Sequence, residues 1–381
     1  MKYDVAIIGG GIIGWSCAYH ILRQNPKIRC LVVEKQSSSA SGATGRSAGG
    51  VRAQFGTPIN IALSMASIKE YETLERDLNR DVGFKQVGYL FVTSTEKGEQ
   101  YIETVIPIQK QFGVPVERLS KIEIENIAPF INCTDIRTGS FSMKDGIIDP
   151  YSVCIAYEGG ALQLGAERLL NHEVIDGDAK QLTLKNQDTT FQIQAEKIVL
   201  AAGQWSSQVG RIFDINIPIS PEKHQLALTE PTNLIPPQIP MIVDLDTTFH
   251  FRREGARLLI GYNDPYANKH DLSEHFDESF LEHMAQDAIH RLPPLEQIGF
   301  DTKKSWGGHY AETPDHHAII GEQNGVIIAT GFGGHGVMHA PAAGIAVAEI
   351  VAQGSCISFN LHPLRPQRFA ENDLTHEPMI I

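Results

Sequence analysis

Cysteine is scarce in this sequence, and its spacing argues against the usual structural uses of the residue. The five cysteines form no Cys-x-x-Cys pair and are odd in number: Cys17, Cys30, Cys133, Cys154 and Cys356. A disulfide framework or a zinc site requires paired or clustered cysteines. The pattern therefore favours free thiols and predicts a reducing, cytoplasmic location.

Long apolar runs and an excess of positive charge are also missing. No run reaches the roughly 18 apolar residues of a membrane-spanning helix, so we expect no transmembrane segment. Lys and Arg together number 32 against 45 Asp and Glu, a net charge of −13, which argues against binding to nucleic acid. Hydrophobic residues at 42% and charged residues at 20% are typical of a globular enzyme. A chain of 381 residues is long for one core and predicts two domains.

The start of the chain does contain a complete pattern, that of a βαβ dinucleotide-binding unit. Val5–Ile8 predicts a buried strand, Gly9–Gly14 reads Gly-x-Gly-x-x-Gly, and a helix is predicted from Ile12 to about Gln24. A second apolar strand, Cys30–Val33, is followed by Glu34. The glycines allow a pyrophosphate to approach the helix N-terminus, and the glutamate can accept hydrogen bonds from ribose hydroxyls. The unit predicts a dinucleotide, either FAD or a nicotinamide.

Three later segments of the chain are also rich in glycine and other small residues. SSSASGATGRSAGGVRAQFG (37–56) predicts a long loop after the second strand. In a nicotinamide-binding domain the next helix would usually follow that strand much sooner. KIVLAAGQWS (197–206) predicts a strand ending in Ala-Ala-Gly, and GFGGHGVMHAP (331–341) has four glycines in its first six residues. Glycine is costly in ordered backbone, so such stretches indicate the close approach of a bound group. Contacts spread over the whole chain favour an extended, buried cofactor.

These segments carry a resemblance to a known family. The chain resembles the D-amino-acid oxidase-like FAD family, which includes glycine oxidase and monomeric sarcosine oxidase, through VAIIGGGIIG, SGATGRSAGGVRAQFG, KDGIIDP, VLAAGQWS, PEKHQLALT, WGGHYAETPDHHAIIG and GFGGHGVMHAPAAG. Within the family it resembles in particular the sarcosine oxidase β-subunit and the β-subunit of dye-linked L-proline dehydrogenases, through GVRAQF, EKHQ, YAETPD and GHGVMHAPA.

The resemblance implies FAD as the cofactor and indicates the residues that bind it. The flavin edge is expected against the C-terminal glycine loop, where the following helix can stabilise negative charge on the reduced ring. Arg46 is expected to contact either a cofactor phosphate or the flavin. The residues predicted to bind FAD are Gly9, Gly11, Ile12, Ile13, Gly14, Glu34, Lys35, Ser41, Thr44, Arg46, Ser47, Gly49, Gly50, Val174, Ala201, Ala202, Gly203, Trp205, Gly331, Phe332, Gly333, Gly334, His335, Gly336, Val337 and Met338.

The resemblance also implies the fold, which is α/β. A FAD-binding Rossmann-like domain of the glutathione-reductase type is expected over 1–85, 145–215 and 320–381, and an antiparallel-sheet substrate domain over 86–144 and 216–319. Within the second domain, 88–94 and 249–264 predict strands, the latter with a turn at Glu254 and Gly255. Residues 275–295 predict an amphipathic helix stopped by two prolines.

Four residues are predicted to form the substrate site. The protein's task in amine oxidation is mainly to position the substrate, and a substrate carboxylate requires a buried cation such as arginine. Arg52 matches the arginine that binds the substrate carboxylate in monomeric sarcosine oxidase, with a salt bridge on a loop as the alternative. Tyr310 matches a substrate-pocket tyrosine, with a half-buried core tyrosine as the alternative. Tyr262 and His250 lie on the predicted sheet, where the roof of the pocket is expected.

Three positions depart from the pattern of monomeric sarcosine oxidase. Gly308 stands where that enzyme attaches its flavin through a cysteine, which implies non-covalent FAD. Met338 replaces a second cation for the carboxylate. Leu259 replaces the lysine that promotes reaction with dioxygen, which favours a dehydrogenase, because a cation near the flavin stabilises superoxide.

Several alternatives remain open at this point. The leading hypothesis is oxidation of the C–N bond of a small amino acid to an imine, by hydride transfer to flavin N5 in a dehydrogenase. The alternatives are a D-amino-acid or glycine oxidase, the catalytic β-subunit of an electron-transfer assembly, and oxidation of a 2-hydroxy acid. The electron acceptor could be a partner subunit or a quinone.

His335 and His339 are spaced i, i+4, but no third ligand follows at a defined spacing, so we predict no metal site.

Overall fold

Strands and helices alternate through the first part of the chain, as its βαβ start predicts. The computed structural model describes residues 1–268 and 270–378. Its strands are β1 (Lys2–Ile8), β2 (Cys30–Val33), β3 (Gly50–Val51), β4 (Tyr89–Thr93), β5 (Val116–Leu119), β6 (Thr138–Ser142), β7 (Gly146–Ile147), β8 (Glu167–Leu169), β9 (Glu173–Gly177), β10 (Gln181–Lys185), β11 (Thr190–Leu200), β12 (Ser220–Leu228), β13 (Met241–Asp244), β14 (His250–Glu254), β15 (Arg257–Gly261), β16 (Trp306–Glu312), β17 (Ile319–Gln323) and β18 (Val326–Thr330). Its α-helices are α1 (Ile12–Gln24), α2 (Pro58–Leu78), α3 (Glu96–Gln111), α4 (Lys121–Ile127), α5 (Pro150–Gln163), α6 (Ser206–Arg211), α7 (Ser279–Arg291), α8 (Gly336–Gln353) and α9 (Arg368–Glu371).

The first sheet has a parallel centre that is buried on both faces. Its main order is β17-β18-β11-β1-β2-β8, and two further strands are added by antiparallel pairing of β10 with β11 and of β9 with β10. In β1, Val5 and Ile7 join the cluster that contains α1 and α8, whereas Ala6 and Ile8 join the cluster on the opposite face. This burial on both faces explains why the strand is continuously apolar rather than alternating.

The second sheet is mostly antiparallel. Its order is β16-β12-β15-β14-β13-β4-β6-β5, and the β13–β4 pair is parallel. The predicted hairpin is present, since β14 and β15 pair from His250 with Gly261 to Glu254 with Arg257. The helix predicted from residue 275 begins later, at Ser279, because the Asp277 carboxylate accepts hydrogen bonds from the backbone N–H and hydroxyl of that serine.

Helix α8 is a core helix of the first sheet. The segment Gly333–Gln353 has the length and apolar composition of a membrane span, but 78% of its apolar 18-residue window is buried inside the protein. At Gly344 the helix crosses α1 so closely that a Cβ would lie 2.4 Å from Ser16 Oγ and 2.5 Å from His20 Nδ1. The apolar composition of α8 is accounted for by this packing.

Candidate cofactor and substrate site

A long cavity opens at the carboxyl ends of the parallel strands. Ile8 at the end of β1, Val33 at the end of β2 and Thr330 at the end of β18 all line it. In open α/β sheets this edge is where ligands bind. The cavity continues under the second sheet, where residues of β12, β14 and β16 form its other wall.

The turn between β1 and α1 has the geometry of a pyrophosphate site. Gly9 has φ = +114°, and a Cβ on it would lie 2.3 Å from the carbonyl oxygen of Ala201. A Cβ on Gly14 would lie 2.0 Å from the Gly9 carbonyl oxygen, so strand and helix approach each other directly. Gly11, at the N-cap of α1, provides no side-chain cap. The helix N-terminus therefore faces the cavity with its positive end.

The other end of the same region suits an adenosine. One carboxylate oxygen of Glu34 accepts a hydrogen bond from the backbone N–H of Gly10 at 2.7 Å, and the other accepts from that of Gln36 at 2.8 Å. Lys35 Nζ lies 3.8 Å from the centre of the Trp205 ring, and burial lowers the pKa of this lysine. An acid beside the glycine turn and a flat aromatic wall fit the ribose and adenine of FAD.

Most of the residues predicted to bind the cofactor line this one cavity. They are Gly9, Gly11, Ile12, Ile13, Glu34, Lys35, Ser41, Thr44, Arg46, Ser47, Val174, Ala201, Ala202, Gly203, Trp205, Gly331, Phe332, Gly333, Gly334, Gly336 and Val337. Gly14, Gly49, Gly50, His335 and Met338 lie outside that lining. Gly14 acts in the packing of α1 on β1, and His335 packs edge-on against Phe55 at 4.9 Å between ring centres.

An aromatic pair stands at the end of the cavity nearest the C-terminal glycine loop. A Cβ on Gly334 would lie 2.8 Å from the Tyr310 ring, so the tyrosine rests on this loop. His224 stacks on Tyr310 with 3.9 Å between ring centres and 21° between planes. Burial raises the pKa of the tyrosine. The pair forms a flat aromatic wall at this end of the cavity.

His250 and Tyr262, the other predicted residues of the pocket roof, also line the cavity. His250 Nδ1 lies 2.8 Å from the Thr248 carbonyl oxygen, so Nδ1 carries the proton and Nε2 is the acceptor. Burial lowers the pKa of this histidine and keeps it neutral. The Tyr262 hydroxyl donates to Asp287 at 3.0 Å, and burial raises the pKa of Tyr262 to about 12.

Arg52 lies behind the cavity rather than in its lining. It is 2% exposed, its guanidinium lies 4.0 Å from the centre of the Phe55 ring and 5.4 Å from that of Phe91, and it donates to the carbonyl oxygen of Gln54. Its charge nevertheless lowers the pKa of Tyr310 against the larger effect of burial. A cation therefore lies close to the aromatic end of the cavity.

Two of the three departures from monomeric sarcosine oxidase occupy defined places. Gly308 lines the cavity, and a Cβ there would lie 3.1 Å from Arg46 Cβ. Leu259 is 3% exposed and pairs with Leu228 and Arg252 inside the second sheet.

Several lining residues were not predicted. His224, Gln225, Asn263 and His172 all face the cavity. The first two belong to the EKHQ motif (222–225), which carries the family resemblance and is the sequence signal for their place in the site. Among the described residues, no three His, Cys, Asp or Glu side chains are grouped to hold a metal ion.

The glycine-lined cavity at the edge of a parallel sheet, with an acid after the second strand, defines a dinucleotide-binding α/β protein. The chain belongs to the family described as FAD dependent oxidoreductase, which matches residues 4–350. The predicted family, fold class, cofactor FAD and oxidoreductase activity are thereby confirmed.

Individual relatives share most of this chain. FAD-dependent oxidoreductase domain-containing protein 1 of Xenopus laevis is 28% identical over 97% of this chain and 83% of its own length. The mitochondrial dimethylglycine dehydrogenase of Homo sapiens is 28% identical over 97% of this chain, which spans 45% of that protein. Among solved structures, L-proline dehydrogenase from P. horikoshii superposes with a TM-score of 0.89 at 27% identity, covering 98% of this chain and 99% of that one. Glycine oxidase from Geobacillus kaustophilus gives 0.84 at 23% identity, covering 96% and 99%.

Proposed function

We propose that this protein is a dehydrogenase that oxidises the C–N bond of a small amino acid, binding FAD without a covalent bond. FAD, when bound, accepts a hydride from the carbon next to the substrate nitrogen and leaves an imine. The observation that carries the proposal is the stacked pair of His224 and Tyr310, which rests on the glycine loop and faces the long glycine-lined cavity. The likeness to L-proline dehydrogenase from P. horikoshii supports an amino acid as substrate.

The proposed roles of the pocket residues follow from their chemistry. Arg52 attracts the substrate carboxylate toward the Tyr310 end of the cavity, because it is a buried cation whose charge acts on Tyr310. His250, neutral and with Nε2 as acceptor, receives a hydrogen bond from the substrate nitrogen. Tyr262 is tied to Asp287 and shapes the roof.

The electron acceptor is proposed to be a partner subunit or a quinone rather than dioxygen. Leu259 provides no cation at the position where a lysine promotes reaction with dioxygen in monomeric sarcosine oxidase. The cytoplasmic location also remains a prediction, and some relatives are named as mitochondrial.

The division into two domains remains part of the proposal. The strands of the second sheet all fall within the predicted substrate domain, 86–144 and 216–319. Those of the first sheet fall within the predicted FAD-binding domain, 1–85, 145–215 and 320–381, except that β17 begins one residue before residue 320, at Ile319. The cavity lies between the two sheets, as a cofactor domain covered by a substrate domain requires.

The experiment is anaerobic bleaching of the purified yellow protein by single amino acids, namely L-proline, D-proline, sarcosine, glycine and D-alanine, followed by 2-hydroxy acids. Bleaching by an amino acid supports the proposal, and slow recolouring in air identifies a dehydrogenase. Rapid recolouring with peroxide would identify an oxidase. Bleaching by 2-hydroxy acids and by no amino acid would contradict the proposed substrate class.

The role of Arg52 is tested in the same assay with Arg52→Ala. Loss of a charged hydrogen bond should weaken binding of the bleaching amino acid by about 1.5–3 kcal/mol. Arg118→Ala, which removes a surface arginine with a side chain 46% exposed, is the matched control. Unchanged substrate binding in a flavin-containing Arg52→Ala variant would remove this arginine from the site.

A further inference from the structure

A buried carboxylate lies directly behind the glycine loop of the cavity. Gly333 lines the cavity, and a Cβ on it would lie 2.5 Å from Oε1 and 3.2 Å from Oε2 of Glu312. Glu312 is the last residue of β16, and its side chain is 10% exposed. The backbone of Gly333 therefore separates this carboxylate from the cavity.

The carboxylate has a titratable partner that is held in place by the fold. Nδ1 of His316 lies 2.9 Å from Oε2 of Glu312, and His316 has φ = +57°. Non-glycine residues seldom adopt this left-handed conformation, which is strained and requires support from its surroundings. The support comes from the preceding residue, because Asp315 and Arg368 form a fully buried ion pair at 2.8 Å.

The charges around His316 come from several elements. Glu312 of β16, Glu222 of β12 and the adjacent Asp315 all act to raise the pKa of the imidazole, and His335 faces it from the glycine loop. The hydrogen bond to Glu312 is the largest of these effects and outweighs burial, so the pKa of His316 lies above its ordinary value. The Glu312–His316 pair therefore changes its net charge within the range of pH in which a histidine titrates.

We propose that the Glu312–His316 pair adjusts the reduction potential of the bound flavin according to pH. The proposal rests on the proposed placement of the flavin against the loop Gly331–Val337. Reduction adds negative charge to a flavin ring, so an uncompensated carboxylate behind the loop disfavours reduction, and an imidazolium beside it removes that effect. Both are positioning residues, because they act through the backbone of Gly333 and contact neither substrate nor flavin.

The test is the midpoint potential of the bound flavin, measured by anaerobic spectroelectrochemical titration at a series of pH values from about 5.5 to about 8.5, which spans the titration of a histidine. The variants are Glu312→Gln and His316→Asn, since asparagine tolerates the left-handed conformation. Glu322→Gln, at an exposed position of β17, is the matched control. Flavin content is read from the absorbance ratio before each titration.

The two variants should give opposite patterns. Glu312→Gln should have a higher potential than the wild type at high pH, with at least a tenfold change in the two-electron equilibrium, about 30 mV. The difference should be smallest at intermediate pH, where the wild-type pair is already neutral and the His316 imidazole of the variant, which has lost the carboxylate that raises its pKa, is not yet protonated. His316→Asn should match the wild type at high pH and fall below it at low pH. Glu322→Gln should follow the wild type throughout.

Two outcomes would contradict the proposed role of the Glu312–His316 pair and would leave the proposed function unaffected. The first is a set of superimposable potential profiles from variants that retain their flavin. The second is loss of flavin from both variants, because the pair would then hold the loop in place and not adjust its charge. A wild-type protein that binds no flavin would instead contradict the proposed cofactor site.

Discussion

Asp145 is the residue on which the conformation of the Arg52 loop depends. Its carboxylate accepts hydrogen bonds at 3.0 Å from the backbone N–H of Ala53 and from the side-chain amide of Gln54. The residue is fully buried, and burial raises its pKa to about 6 in spite of these donors and of the nearby Arg52 charge. A buried carboxyl group whose charged form is disfavoured therefore supports the loop that carries the predicted cation.

Stability should consequently depend on pH through Asp145. A raised folded-state pKa means that the native protein binds more protons than the unfolded chain between about pH 4 and pH 6, so this contribution is present at low pH and is lost as pH rises. Over that interval, the free energy of unfolding changes by about 3 kcal/mol at most because of Asp145. Asp145→Asn should therefore gain stability relative to the wild type as pH rises, measured by urea unfolding at both ends of the interval. A difference between the two proteins that is independent of pH would contradict this assignment.

The lack of a side chain at Gly308 predicts that the cofactor is held without a covalent bond at this position. The position lines the cavity but has no side chain that could form a bond to the flavin. Acid precipitation of the purified protein should therefore release all of the flavin into the supernatant, where its absorbance is measured. A yellow pellet after washing would show a covalent attachment elsewhere in the chain.

At the residue scale, the sequence predicted best where one local motif carries the chemistry. The Gly9–Gly14 turn and Glu34 could be predicted because their spacing has a physical reason within one βαβ unit. The places of His224 and Glu312 in the site could not be predicted, because each depends on contact with a distant segment of the chain. His224 depends on stacking against a strand that begins 82 residues later, at Trp306, and Glu312 on the backbone of Gly333.

At the scale of elements, local elements such as α1, β2 and the β14–β15 hairpin were predictable, and strand pairings between distant segments were not. The predicted bounds of α1 and β2 match those observed, Ile12–Gln24 and Cys30–Val33, since apolar pattern and glycine punctuation are local signals. The pairing of β12 with β16 joins Ser220 to Glu312. No local pattern encodes that register, because the intervening chain contains three other strands of the same sheet and the helix α7.

The crossing of α1 and α8 leaves no room for a side chain at Gly344. Gly344→Ala would bring a methyl group to within 2.4 Å of Ser16 Oγ and 2.8 Å of its carbonyl oxygen. Such overpacking should lower stability by about 1–3 kcal/mol and reduce the thermal midpoint. Gly159→Ala in α5 is the matched control, because the nearest atom, Arg80 Nη1, lies 3.8 Å from the new Cβ. That control should gain up to about 1 kcal/mol from helix propensity, and equal destabilisation of both variants would contradict the packing argument.

At the scale of the whole molecule, the cavity is enclosed by loops that bridge the two sheets. The residues that follow β15, 262–268 and 270–278, are fixed to the second sheet, since Asp271 pairs with Lys223 of β12 at 2.6 Å. The same stretch reaches the small-residue loop 37–56 that follows β2, where Glu274 pairs with Arg46, a residue of the cavity lining. Trp306 of β16 adds a second bridge by donating from Nε1 to the Arg46 carbonyl oxygen at 2.9 Å. The position of Arg46 thus depends on both sheets.

Glu274→Gln should loosen this closure and accelerate the release of flavin. The two side chains are 26% and 43% exposed, so solvent screens the ion pair and its contribution is about 0.5–1 kcal/mol, equivalent to roughly a two- to fivefold faster dissociation at low salt. The effect should disappear at high ionic strength, since screening removes the interaction in the wild type as well. Dissociation is measured as the rise of flavin fluorescence after dilution, with Glu278→Gln, an exposed glutamate at the start of α7, as the matched control. Equal rates in wild type and Glu274→Gln, or the same acceleration in Glu278→Gln, would show that the bridge does not hold the cavity closed.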